Sequence, residues 1–177
     1  MRTLGRRSTS QAMLAAILLA ASAAAPEPPG CAVVLAILQQ QRQPFRLGAN
    51  PEPVGSFGGG DLPWLSQVGA SGPPAPPRGL TEQLKREDGR SPLGLCPSVK
   101  RWVASNRVAI VRRVTPADRY PQPILSVSMP AISADGRSAV IATGSVCGAL
   151  CGQGSLYHLR RGPKGWEVAG VTSTWIS

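Results

Sequence analysis

Cys147-Gly148-Ala149-Leu150-Cys151-Gly152-Gln153-Gly154 lies between two strand-like runs, with Val140-Ile141 before it and Leu156-Tyr157-His158-Leu159 after it. The β-branched and aromatic residues favour extended chain, and the glycines mark a reversal between the runs. Two turn signals frame the pair: Ala134-Asp135-Gly136 precedes it, and Arg161-Gly162-Pro163-Lys164-Gly165 follows. Asp-Gly is a strong hairpin signal because both residues tolerate positive φ. Five strand candidates result, over 107–114, 123–132, 137–146, 155–161 and 166–176. Short connections between consecutive strands predict an antiparallel meander. Such a sheet is apolar on one face and needs a cover.

The cover has to come from upstream. Cys31 to Gln43 is apolar from Ala32 to Leu38 and then polar, which predicts a helix of about three turns stopped by Pro44. Pro97 to Val103 predicts a second short helix with Ser98 as its cap; Val99, Trp102 and Val103 share one face at i, i+3 and i+4. Thr81 to Asp88 reads as a further short helix capped by Thr81. The predicted class is therefore α+β: an N-terminal helix and a short second helix packed on a curved antiparallel β-meander of about five strands. A small closed β-barrel is the alternative.

Between helix and sheet the composition shifts. From Gly48 to Gly79, 15 of 32 residues are Gly or Pro, so a regular hydrogen-bond ladder is not expected there. Pro73-Pro74-Ala75-Pro76-Pro77 is stiff, Gly58-Gly59-Gly60 is flexible, and Pro63-Trp64-Leu65 reads as a small anchor onto the core. The organisation expected is a leader over 1–25, an N-terminal core helix over 26–47, an irregular segment over 48–97 and an antiparallel β domain over 98–177.

Met1 to Ala25 has the form of a secretory signal peptide. Arg2, Arg6 and Arg7 begin it, nine apolar residues run from Ala12 to Ala20, and small residues follow. The apolar run is short of the roughly 20 residues a spanning helix needs. This places the protein in the periplasm or outside the cell, touching a membrane only through the leader during export. The formal charge of the 177-residue chain is +10, and arginine outnumbers lysine 16 to 3. An arginine-rich surface of this kind is a weak anion-binding candidate through Arg107, Arg112, Arg113, Arg119, Arg160 and Arg161, with an anionic envelope component as partner. Nucleic acid is not expected as the partner of an exported protein.

Four cysteines in an oxidising compartment predict disulfides. Three pairings exist. One turn of chain from Cys147 to Cys151 brings their Cα atoms to roughly 6 Å, within bonding range, which leaves Cys31 for Cys96. Thiol redox chemistry is the less favoured use, because the spacing is C-x3-C and not C-x-x-C. Metal binding by Cys147, Cys151 and His158 is another, but two-residue spacing is the commoner zinc arrangement. No cofactor or metal is expected. His158 reads as a strand residue, and Gly148, Gly152 and Gly154 make a weak phosphate cradle without a following helix or Gly-Lys-Ser/Thr.

The segment Ser-Ala-Asp-Gly-Arg-Ser-Ala-Val-Ile, the loop Cys-Gly-Ala-Leu-Cys-Gly-Gln-Gly, then Gly-Trp-Glu-Val and the closing Trp-Ile-Ser resemble a group of uncharacterised exported bacterial proteins. The resemblance covers about residues 120–177. It implies a β-meander and export, and it carries over no catalytic residue. No Gly-x-Ser-x-Gly elbow, Ser–His–Asp spacing or paired-carboxylate motif appears, although Asp118, Asp135, Glu167 and His158 are available. A cell-envelope binding or structural module is thus expected rather than an enzyme. The alternatives are a small secreted hydrolase-like enzyme and a cysteine-based redox or metal site at 147–151.

Overall fold

Three long strands carry the fold of the computed structural model, which describes residues 26–54, 63–67, 73–114 and 120–177. They are β6 (Ser138–Gly148), β7 (Cys151–Gly162) and β8 (Gly165–Ile176). Each pairs antiparallel with the next through the two expected hairpin turns. Gly165 takes φ +112° at the second turn, and Gly136 takes φ +68° in the Asp135-Gly136 turn ahead of β6; only glycine adopts such angles without strain. The leader over 1–25 and Gly58-Gly59-Gly60 lie outside the described residues, as do Asp118 and Arg119.

The rest of the sheet departs from a meander. Short strands β1 (Arg46–Gly48), β2 (Leu65–Ser66), β3 (Ile110–Val111), β4 (Ile124–Val127) and β5 (Ala131–Ile132) complete eight among the described residues. The order is β2-β8-β7-β6-β4-β1-β3, with β5 also on β6, and the sheet is open rather than closed into a barrel. It is also mixed. β1 enters parallel to both β3 and β4, pairing Leu47 with Ile110 and Leu125. The strand expected over 107–114 shrinks to two residues, because Arg112 and Arg113 turn out to solvent beyond it. The strand expected over 123–132 breaks at Pro130, which has no N–H for the ladder. Ser128 bridges the break: its N–H donates to the Ala142 carbonyl, and its hydroxyl accepts the Ala142 N–H, each at 3.0 Å.

One face of the sheet is covered by helices. Helix α1 (Gly30–Gln39) buries Val33, Val34, Ile37 and Leu38. Helix α4 (Pro97–Ser105) adds Val99 and Val103, while Trp102 stays half-buried and stacks on Phe45 at 6.5 Å between ring centroids. These side chains pack on Leu47, Leu125, Val127, Ile141 and Leu159. α1 ends at Gln39, before Pro44 is reached. The expected cap of α4 is replaced: the Ser98 side chain makes no capping bond, and the Ser98 N–H donates to the Glu27 carboxylate at 2.7 Å. That bond holds the Glu27 carboxyl below its usual range. The four-residue helix α3 (Pro92–Leu95) runs into Cys96, which pairs with Cys31 at a Cα separation of 5.5 Å and ties α1 to the start of α4.

The second face is covered too, contrary to the one-faced sheet expected. Residues 139–144 of β6 are buried in succession, which an uncovered face would forbid. Val54, Trp64 and helix α2 (Leu80–Lys85), through Leu80 and Leu84, pack on Val140, Ala142, Leu156 and Ala131. The anchor expected around Trp64 is present. Apart from α2 this cover is irregular chain, drawn from the described parts of the Gly/Pro-rich stretch. At Gly170 the Pro74 backbone lies so close that a Cβ would run into it.

Candidate functional site

An open cleft lies at the end of the sheet where β6 turns into β7. It is a cleft of about 790 Å³. Its walls come from four separate places: Gln43 and Pro44 after α1, Tyr120 to Pro123 ahead of β4, the Cys147–Cys151 turn with Ser145 and Gln153, and Ser177. Backbone bonds lock these segments together. Tyr120 N–H donates to Cys147 O at 2.9 Å, and Gly152 and Ser177 exchange two bonds of 3.3 and 3.0 Å. The Arg46 guanidinium lies 5.6 Å from the Tyr120 ring centre and donates to the Gln122 carbonyl at 3.3 Å, which fixes the second wall.

The two cysteines of the turn are paired, with Cα atoms 5.1 Å apart. They come together as a hairpin turn between antiparallel strands, not as a turn of helix. All four cysteines are thereby used, in the combination the sequence favoured. Cys151 and Leu150 are exposed, whereas Cys31 and Cys96 are buried.

A second polar place lies on the face covered by irregular chain. Glu52, from Pro51-Glu52-Pro53, is 7% exposed. Its carboxylate sits directly on Gly144, where a Cβ would collide with it. Ser126 Oγ–H donates to one oxygen at 2.8 Å and Trp175 Nε1–H to the other at 3.3 Å. Burial nevertheless raises the carboxyl above its ordinary value, against the lowering effect of the two donors. The Trp175 indole in turn lies over Gly152 and Gly154. Two of the three glycines that suggested a phosphate cradle thus make room for an aromatic ring.

A third is His158, only 1% exposed. Its Nδ1–H donates to the Pro74 carbonyl at 3.0 Å, and Trp64 meets its ring edge-on at 6.3 Å. Among the described residues, Nε2 is buried without a partner, as is Thr172 Oγ1. The register pairs His158 with Gly170 and Leu156 with Thr172, so the two unpartnered atoms belong to diagonal neighbours on one face. Burial pushes the imidazole below its ordinary value, and Arg160 adds to this, while the bond to Pro74 opposes it.

The remaining sequence candidates are dispersed. Cys151 and His158 stand on one strand, roughly 23 Å apart at about 3.3 Å per residue, so they do not form a metal set. Among the described residues, Glu27, Cys31 and Cys96 alone bring three ligand-type atoms within 4.8 Å, and two of these are the bonded sulfurs. Asp135 serves its turn, accepting from Ser133 Oγ at 2.6 Å and Arg137 N at 3.0 Å. Glu167 is exposed on β8. Arg107 ends α4 at φ 54°, Arg112 and Arg113 follow edge strand β3, and Arg160 and Arg161 lie on β7, four places along the sheet from β3. Arg119 lies outside the described residues.

The sequence reading passed over Glu52 because a carboxylate between two prolines reads as exposed loop. The available signal was Gly144 and Gly154 in mid-strand, since a strand glycine marks a close approach. Comparison with protein-family models, with curated protein sequences and with solved structures finds no match.

Proposed function

We propose that this chain is an exported binding module whose ligand site is the cleft at the Cys147–Cys151 end of the sheet. The observation that carries the reading is the cleft itself. Four segments distant in sequence converge on it, backbone bonds and a cysteine pair make its walls rigid, and an opening of about 790 Å³ remains between them. A preformed concavity with convergent polar groups is the usual form of a small-ligand site. Export is supported by the signal-like leader and by two cysteine pairs that suit an oxidising compartment. Among the described residues, no helix is long and apolar enough to cross a membrane. The resemblance of residues 120–177 to uncharacterised exported bacterial proteins points the same way.

A hydrolase-like reading draws on one observation, the buried Glu52 carboxyl beside Ser126. An acid of raised pKa is a common catalytic device, but the described neighbourhood supplies no second carboxylate and no base for the serine. Binding is therefore the better-supported function. Fragment screening by two-dimensional NMR on the oxidised protein tests it. Shifts grouped at residues 43–44, 120–123 and 150–153 support the cleft. Hits grouped instead around Glu52 and Trp175 would move the site to the other face and revive the enzyme reading.

A further inference from the structure

Resting on the cleft as the ligand site, we propose that its ligand is an uncharged saccharide, held by three glutamine amides against the Tyr120 ring. The chain carries a formal charge of +10, yet no described side chain lining the cleft is charged. Gln43, Gln122 and Gln153 reach it from three different segments, accompanied by Ser145, Tyr120 and three prolines. A carboxamide offers both donors and an acceptor. That complements a hydroxyl, which also does both. Toward an anion the same amides offer N–H donors but no compensating positive charge, so they give it no advantage over a hydroxyl. Behind the wall, the Arg46 guanidinium is turned to the Tyr120 ring and the Gln122 carbonyl, while its Nε is buried without a partner among the described residues. A wholly apolar ligand would strand the amides without partners, at a cost.

The backbone of the cleft decides against an extended peptide. Peptides that add to a sheet bind through free main-chain groups. Here the carbonyl of Cys147 already accepts from Tyr120, the carbonyls of Gln122 and Pro123 accept from Arg46, and Gly152 and Ser177 satisfy each other. Recognition is left to side chains: neutral amides for hydroxyls, with the apolar plane of Tyr120 and the rings of Pro44, Pro121 and Pro123 for the C–H face of a sugar. The volume lies within the range of small-ligand sites, about 300–1,000 Å³.

The test is a titration of the oxidised, ¹⁵N-labelled chain, following the glutamine side-chain amides. The probes are N,N′-diacetylchitobiose and maltotriose as neutral saccharides, a sulfated heparin disaccharide, and a proline-rich peptide. The expected result is movement of the Gln43, Gln122 and Gln153 amides with at least one neutral saccharide. The double variant Gln122→Ala, Gln153→Ala should weaken that binding about tenfold or more, with the rest of the spectrum unchanged. Tighter binding of the sulfated sugar, or of the peptide, at the same amides overturns the saccharide and leaves the cleft standing as a site. If neither these probes nor a fragment mixture moves those amides at about 10 mM, a level that excludes even millimolar affinity, the saccharide and the cleft reading fall together.

Discussion

The two faces of the sheet solve the same burial problem with different material. On one face, α1 and α4 satisfy their own backbone and present only side chains, so the strands beneath can be apolar: Leu125, Val127, Ile141 and Leu159. On the other, irregular chain brings carbonyls and N–H groups with no ladder to join. The groups that meet them are polar and come from several elements. His158 donates to Pro74 O, Asp88 Oδ1 accepts from Val54 N at 3.0 Å, and Ser126 Oγ and Trp175 Nε1 donate to Glu52. Glu52, His158 and Thr172 are buried on this side. A loop-covered face therefore requires polar groups in its cover and its strands, since an unpaired buried backbone group costs about as much as a lost hydrogen bond.

The contrast can be broken most severely on the helical side. Cys31→Ser with Cys96→Ser opens a ring spanning 65 positions and should cost about 4 kcal/mol on chain-entropy grounds, read as a lower urea midpoint. Ile141→Ala, fully buried beneath the helices, should cost about 3 kcal/mol by the same measurement. The loop side should respond to chemistry more than to volume. His158→Ala leaves Pro74 O without its donor and should cost about 2 kcal/mol, with protease cleavage near residues 73–79 appearing before global unfolding.

Acidity sharpens the same contrast. The folded state lowers the His158 pKa, so below the ordinary value of 6.5 the unfolded chain binds more protons. Stability is then complete above pH 6.5 and declines as pH falls toward the folded value. Glu52 acts with opposite sign: its raised pKa gives full stability below 4.5 and loses it as pH rises through the folded value. His158→Gln should abolish the first slope and Glu52→Gln the second in urea titrations across pH 4–7, whereas Ile141→Ala should leave both slopes intact. The smallest global effect belongs to Cys147→Ser with Cys151→Ser, which opens a ring spanning 4 positions and should cost at most about 2 kcal/mol. With Cys151 exposed and Cys147 half-buried, against a fully buried Cys31–Cys96, that pair should be the first reduced when a dithiol is titrated in, as mass mapping of the alkylated cysteines would register.

The hairpins β6–β7 and β7–β8 were legible because their strands are long, periodic and bounded by turn residues with a mechanism. The Cys147–Cys151 pair and the inward faces of α1 and α4 were legible for similar local reasons, and Cys31 with Cys96 followed as the remaining pair. What escaped reading was non-local. β1 buries one residue, Leu47, and becomes a strand only because β3 and β4 flank it. The second cover was hidden by its composition: glycine and proline signal irregular backbone, and irregular backbone was equated with surface. Its buried partners show why that fails, since Pro74 docks on Gly170 and supplies the acceptor for His158. The cleft joins both kinds of information. Its turn was visible, but its lining from Gln43 and Gln122 follows from the register of β4 on β6 and of β1 on β4.

The parallel strand β1 also fixes an order of events. It occupies a slot between β3 and β4, with Arg46 opposite Ile124, 78 positions away. The hairpins β6–β7 and β7–β8 close short loops and form early, whereas contacts of such long range are slow. β1 is thus expected to find its place after those hairpins have formed. The step that seats β1 beside β4 also brings the Gln43 wall into position, so the cleft should be complete only once that late pairing has closed.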